Sequence, residues 1–473
     1  MGKPIKKVFF VLVALSIGYY VYTSYKKSSA LLGVVHQDAH SIIKVGIHDL
    51  KETLILDALG APRYYYKNSK SSSGDIKEED EEKEGSGVEL TPYNLLLFTM
   101  PDIENTVFSV FRIDDATDFE KYIKREINDK VDKIHTSDAK AYQFAWFKNG
   151  NIALAWNTEK LIVAGSLKIE KSAIRTVFKE VLVDGKTIDD SDHDLIKAVK
   201  EAPGHLVYAD TKGISTVSFK DGAAVLRGNA LTSRSHTKEF VTPVYQDPSL
   251  SFHYDLNLKQ SSEKEKLAQK LNGISFFSKN NLTPLELLQP FDGALSLCIA
   301  GRTAQNDTIV TYGYDDNFEK IAQKTIERKE VPQFYMNLGS TQGSVKEYLL
   351  EAGALSNSDV FKPFPLYQLR VSENDSRTTF NTGDSISSQT QKTSSYFFNL
   401  QANFNRLQQD MGIPQTEKLF SLLKNMRVQA WQEAEDEIQI EGFIKAKEEY
   451  INILSQVFFG LNAEKDDDQE AKL

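Results

Sequence analysis

The chain has 473 residues, 41% of them hydrophobic and 26% charged; this ordinary globular composition excludes whole-chain disorder, collagen and coiled coil. At ~100–200 residues per domain, the length calls for two or three domains or one elaborated fold. Lys and Arg total 56 against 66 Asp and Glu, a net charge of -10, whereas a general nucleic-acid binder carries the opposite balance. A single cysteine excludes an intrachain disulfide framework and a cysteine zinc cluster.

Residues 8–25, VFFVLVALSIGYYVYTSY, carry no charge. At ~1.5 Å per residue a helix of this length spans roughly 27 Å, enough for a hydrocarbon core. Lys3, Lys6 and Lys7 precede it, Lys26 and Lys27 follow, and Tyr19, Tyr20, Tyr22 and Tyr25 crowd its end, where rings sit at a headgroup interface. Three assignments fit: a retained single-pass anchor, a cleaved signal peptide with Ser16-Ile17-Gly18 at the cleavage site, and a buried soluble helix. The retained anchor leads, because cleavage leaves the apolar YYVYTSY run on the mature end. A short basic head favours the head-inside orientation. The body is then expected outside the cytoplasm; its lone cysteine is compatible with a bacterial periplasm or a cytosolic location and argues against a disulfide-rich animal ectodomain.

Two segments read as disordered acidic runs, residues 68–87 and the tail 464–473. Between them, strand and helix patterns alternate. Ala141–Phe147 and Ile152–Trp156 flank Asn149-Gly150, and Asn-Gly favours the tight hairpin turn. Leu161–Ser166 continues the meander. Ile214–Phe219 pairs with Ala223–Ala230 around Asp221-Gly222, and Arg427–Ala434 pairs with Glu437–Ala446. Helical stripes appear at Phe119, Tyr122, Ile123 and Ile127, capped by Asp114, Asp115 and Thr117; at Ile174, Val177, Phe178, Val181 and Leu182; at Leu349 and Leu350 after Gly343-Ser344; and at Tyr450, Ile451, Leu454, Val457 and Phe458. The Ser/Thr-rich run 372–395 reads as a long loop or hairpin tip.

Strand–gap–helix units recur, as in VFSVFRIDDATDFEKYIKRE and YFFNLQANFNRLQQDMG, without the fixed period of a solenoid. The expected fold is α+β, two-lobed, with antiparallel sheets and strand–helix units behind one N-terminal transmembrane helix. Residues 1–27 form the head and anchor, 28–240 the first lobe, 241–463 the second and 464–473 the tail. A diverged two-fold duplication is a further expectation, with its seam between Ser235 and Pro248; unrelated folds in the two halves would refute it.

GVVHQDAHSIIKVGIHDL, AWNTEKLIVAGS, LELLQPFDGALSLCIAG and SYFFNLQANFNRL resemble an uncharacterised family of envelope-anchored Bacteroidetes proteins, a domain-of-unknown-function group. The resemblance implies an envelope location and this architecture, and no activity. Members look like lipoproteins or signal-bearing proteins, and this chain departs from them in lacking a lipobox cysteine.

Motifs for chemistry are sparse. Gly185-Lys186-Thr187 ends like a phosphate loop, but Glu180 stands where that loop needs its first glycine. His36 and His40 have zincin spacing, but Gln37 replaces the glutamate. Asp190, Asp192 and Asp194 alternate like calcium ligands, but Leu195 replaces the loop glycine, so helix capping and dipole complementation is the better assignment. Gly339-Ser340-Thr341-Gln342-Gly343 puts threonine where a nucleophile elbow needs serine. Cys298 lies in an apolar strand as a buried structural thiol. The remaining histidines, His253 among them, are scattered. No catalytic, cofactor-binding or metal-binding residue is therefore assigned, and no cofactor. The expected function is that of a membrane-anchored binding or structural component of the envelope, with the bilayer as partner through residues 8–25, an envelope protein or lipid as a further partner, and no nucleic acid. A lipid- or cell-wall-handling module with an apolar cavity is the alternative; an unrecognised hydrolase is the second.

Overall fold

The computed structural model describes residues 25–72, 85–89, 93–137, 140–167, 169–232, 240–245, 247–258, 260–314, 320–340, 344–374, 377–383 and 390–462. The protein is α+β, with antiparallel strand pairing throughout the described ladders. It divides into two compact units. The first takes the chain up to residue 220 together with 227–230; the second takes 221–226 and 231–462.

In the first unit, β1 (Ser41–Val45) leads into α1 (Ile47–Gly60) and α2 (Pro62–Ser72), then β2 (Leu95–Thr99) and β3 (Thr106–Arg112). After α3 (Ala116–Tyr122) come β4 (Val131–Thr136), β5 (Gln143–Phe147), β6 (Ile152–Trp156) and β7 (Lys160–Ser166). Helices α4 (Lys171–Leu182) and α5 (Asp194–Glu201) precede β8 (Leu206–Asp210), β9 (Gly213–Lys220) and β10 (Ala223–Leu231). The spatial order is β9–β8–β1–β2–β3–β7–β6–β5–β4, with β10 beside β9.

Both faces of this sheet are covered around β5 and β6, which explains their near-continuous apolar sequence. On one face Ile42, Phe98, Phe108 and Ile162 pack in a cluster with Ile174, Val177 and Phe178 of α4 and Ile196 and Val199 of α5. On the other, Phe119 and Ile123 pack with Ala145, Leu154 and Trp156. The Asp115 carboxylate accepts from the amides of Thr117 and Asp118, which starts α3, and the helix widens into a π turn over Ile123–Ile127. Lys44 is buried; its ammonium donates to the carbonyl of Val199 at the end of α5, where the helix dipole is negative. Burial lowers its pKa.

The second unit contains β11 (Phe240–Val244), β12 (Leu250–Asp255), three helices α6 (Ser261–Asn272), α7 (Ser275–Lys279) and α8 (Pro284–Leu288), and the long strands β13 (Phe291–Tyr314) and β14 (Lys320–Ser340). Then come α9 (Val345–Glu351), β15 (Arg370–Asn374), β16 (Arg377–Asn381), β17 (Thr390–Ser394), β18 (Tyr396–Asn403), α10 (Phe404–Met411), α11 (Glu417–Leu422), β19 (Leu423–Ala434), β20 (Glu437–Ala446) and α12 (Ile453–Asn462). The order is β20–β19–β18–β12–β13–β14–β16–β15, while β11 and β17 form a separate two-stranded ribbon.

The two orders correspond. In each unit the first strand of the main sheet (β1 or β12) lies between the next strand in sequence (β2 or β13) and a strand from late in the unit (β8 or β18). A helix follows that first strand, a second helix follows the third (β3 or β14), and a hairpin strand returns to pair with it (β7 or β16). The division between units falls between Lys220 and Leu231, earlier than the stretch from Ser235 to Pro248.

Three segments differ from their sequence patterns. The run 372–395 is not one long loop: β15 and β16 pair as a hairpin, the second of the two readings, and β17 adds a further strand. Its β-branched threonines suit a pleated ladder, and Thr378 and Phe380 alternate inward. Helix α2 reaches into the acidic segment as far as Ser72. Helix α12 begins at Ile453, after Tyr450 and Ile451, with the Asn452 side chain accepting from the Leu454 amide. Residues 73–84, the tail 464–473 and the apolar segment 8–24 lie outside the described residues. Among the described residues no helix is long and apolar enough to cross a membrane.

Phe178 is fully buried between α4 and the sheet. Phe178→Ala is expected to destabilise the first unit by about 3–5 kcal/mol, read as a lowered midpoint in urea unfolding.

Candidate functional site

The site arises from the two-residue period of the second unit's strands. Directly paired residues in neighbouring antiparallel strands point to one face. One row across the sheet reads Phe380, Met336, Leu297, Phe252, Leu400, Val428. Its Phe380–Met336 end packs with Val345 and Leu349 of α9. The row one residue away faces the opposite side and reads Thr379, Asn337, Ser296, His253, Asn399, Gln429, Glu441. Every member is polar.

Side-chain hydrogen bonds tie this row together on either side of its centre. Thr379 Oγ1 donates to Asn337 Oδ1 at 2.7 Å. Asn337 Nδ2 donates to Ser296 Oγ at 3.2 Å and to the Tyr245 hydroxyl at 2.9 Å. Beyond the centre, Gln429 Nε2 and Gln401 Nε2 each donate to Asn399 Oδ1 at 3.2 Å. His253 stands between the two sets. Its side chain is 6% exposed, and among the described residues neither ring nitrogen has a hydrogen-bond partner. Buried polar groups are nearly always paired, so a buried unpaired imidazole needs an explanation.

The surroundings of His253 are graded. Ser296 and Asn337 are buried, Asn399 and Gln429 are half-buried, and Glu441 is exposed. The row is thus most buried at its centre on β12–β14, half-buried at Thr379 on β16 and at Asn399 and Gln429, and exposed at Glu441 on β20. Tyr245, which follows β11, accepts from Asn337 at that buried centre. Phe240, at the start of β11, places its ring centroid 6.5 Å from that of His253. Burial lowers the His253 pKa, Asp255 opposes this, and Arg377 reinforces it. A neutral imidazole offers one N–H donor and one acceptor nitrogen.

Cys298 lies one pair along on the same face, opposite Ser251 and Tyr335. It is fully buried, and burial pushes its thiol up to about 12, far from the thiolate that a nucleophile needs. Residues 341–343 of the glycine-flanked turn lie outside the described residues. Ser344 caps α9 and donates to Glu373, whose carboxylate also accepts from Thr378 Oγ1 and the Val345 amide. Burial raises the Glu373 pKa, and these bonds outweigh it, so the pKa is lowered overall.

In the first unit, His36 is buried and His40 exposed. His36 Nδ1 accepts from the Asp38 amide, and Nε2 lies 3.3 Å from Glu180, which also holds Lys186. Around α5 the capping acceptor is His193, which takes the Leu195 amide; Asp190 instead accepts from the Asp192 amide. His48, Asp49 and Glu52 were not singled out in the sequence. They bring three ligand atoms within 4.8 Å of one another, but Lys27 already neutralises Asp49 at 2.5 Å. A shallow groove of about 390 Å³ lies beside α4, lined by Tyr142, Arg175 and Lys179.

Compared with protein-family models, with curated proteins and with solved structures, the chain matches none.

His253→Leu is expected to leave stability unchanged or raise it by about 1–3 kcal/mol, since it removes an unpaired buried polar group. Asn337→Leu is expected to lower stability by a similar amount, because it strands Thr379, Ser296 and Tyr245. Urea titrations of both variants check this opposition.

Burial lowers the pKa of His36, His205 and His253 from 6.5. Each folded pKa lies below the unfolded value, so the unfolded state binds more protons between the two. The resulting stability is fully present above about pH 6.5 and is lost as pH falls through the folded values. The urea midpoint is expected to drop between about pH 7.5 and pH 5.5, and by less in His253→Leu.

Proposed function

We propose that the protein is a non-catalytic binding component of the cell envelope, held in the membrane by residues 8–25, with its body in the periplasm. The anchor rests on the uncharged 18-residue span between lysines and on its tyrosine-rich end. The binding role rests on one observation, the polar row of the second unit that is interrupted at the buried, unpartnered His253. A sheet face that is buried at its centre, reaches solvent at Glu441 and is lined by amides and hydroxyls that both donate and accept suits capture of a polar ligand. The same lining favours a polar ligand over a lipid acyl chain, which makes an apolar lipid-handling cavity the weaker alternative. Hydrolase chemistry has less support again, because the row's hydroxyls are engaged with amides and the neighbouring thiol is held protonated. The resemblance to envelope-anchored Bacteroidetes proteins agrees with the location.

Cell fractionation and protease shaving test the placement. The full chain is expected to pellet with membranes, to resist a carbonate wash and to dissolve in detergent. Removing residues 1–27 is expected to release it. Added protease is expected to digest the body only after the outer barrier is opened. A full chain that stays in the soluble cytoplasmic fraction would sink this proposal.

A further inference from the structure

The geometry points to a neutral, hydroxyl-rich ligand, a saccharide, bound along the row with one of its hydroxyls in the gap at His253. This deepens the binding role proposed above and rests on it.

The neutral imidazole presents one donor and one acceptor. A hydroxyl gives one hydrogen bond and receives others at the same atom, so one sugar hydroxyl can serve either nitrogen. A carboxylate only accepts at neutral pH and leaves the acceptor nitrogen unpaired. An ammonium only donates and leaves the N–H unpaired.

The neighbouring groups match the same chemistry. Ser296, Asn337, Asn399, Gln401 and Gln429 are uncharged groups that both donate and accept. The half-buried amides at Asn399 and Gln429 continue the row outward from His253, the direction in which a second sugar ring extends. The ring of Phe240 lies beside His253 but is itself buried with Phe397 and Ala430, so recognition rests on the polar groups. Asn337 is held by three bonds, so the inner wall is ordered before a ligand arrives, which lowers the cost of binding.

The test uses the purified full chain in detergent micelles, with ring-labelled histidine and NMR detection. The chain has 8 histidines, and the His253 signal is the one lost in His253→Gln. The probes are cellobiose and N,N′-diacetylchitobiose, with glycerol and potassium phosphate as controls. At least one disaccharide is expected to shift the His253 signal saturably, and Asn399→Leu is expected to weaken that binding by about tenfold or more. The controls are expected to leave the signal in place. A His253 signal unmoved by both disaccharides up to about 50 mM, the millimolar limit of weak binding, overturns the assignment. So does a signal that phosphate moves as readily, which marks an anion site directed by Arg377, or a saccharide shift that Asn399→Leu leaves untouched. Fractionation does not depend on His253. A silent signal in a protein that still pellets with membranes therefore refutes the saccharide and leaves the envelope placement standing.

Discussion

Strand register is the constraint on which the second unit depends. Successive side chains of a strand face opposite ways, so a slip of one residue exchanges the two faces. A slip in β12 that places His253 where Phe252 stands would bring Tyr254 into the polar row. The structure pins this register where β13 begins. Gly293 has φ 109° and leaves no room for a Cβ, which would lie 2.8 Å from the Leu258 amide nitrogen. Gly339 on β14 is equally tight, since a Cβ there would sit 2.3 Å from the Asp292 carboxylate. The Gly293 approach is to backbone, whereas at Gly339 the neighbour is the end of the Asp292 side chain.

The two units share a strand order and use it differently. In the first, QFAWF and IALAW carry apolar residues at nearly every position, because helices cover both faces of that part of the sheet. In the second, SFHYD, LSLC, YMNL and FNLQ alternate, because one face is apolar and the other carries amides and hydroxyls. Topology alone therefore does not locate function; side-chain identity on a shared framework does.

Much of the framework was legible because its signals are local. Asn149-Gly150 and Asp221-Gly222 marked hairpin turns, and both glycines adopt positive φ. The stripe from Ile174 to Leu182 marked α4, whose apolar face is buried. The site was not legible, because its members come from strands spread between residues 253 and 441. Each member alone reads as the solvent face of a strand, and His253 joined the scattered histidines. The nearest available signal was the repeated polar residue at the second position of apolar runs, as in Phe252-His253-Tyr254 and Met336-Asn337-Leu338. Pairing those runs needs contacts across more than 40 residues of chain, which no local pattern encodes. The run 372–395 was legible in part, as the hairpin of β15 and β16. Its composition favoured a loop, while its alternation around Thr378 and Phe380 carried the strand.

Energy separates the two ends of the row. The Thr379–Asn337–Ser296 ladder exchanges bonds to water for bonds within the protein, a net gain of about 0.5–1.5 kcal/mol per bond. An imidazole with no partner gains nothing in return and costs about 1–3 kcal/mol. A leucine of similar volume at position 253 would avoid that cost, so stability by itself gives no reason for histidine. Sites that depart from the local packing rule are where function is expected. Here the departure is confined to one residue, flanked on both sides by side chains whose bonds are satisfied. The ordered neighbours hold the imidazole in place, and a molecule able to pair with it recovers the lost bonds without rearranging the sheet.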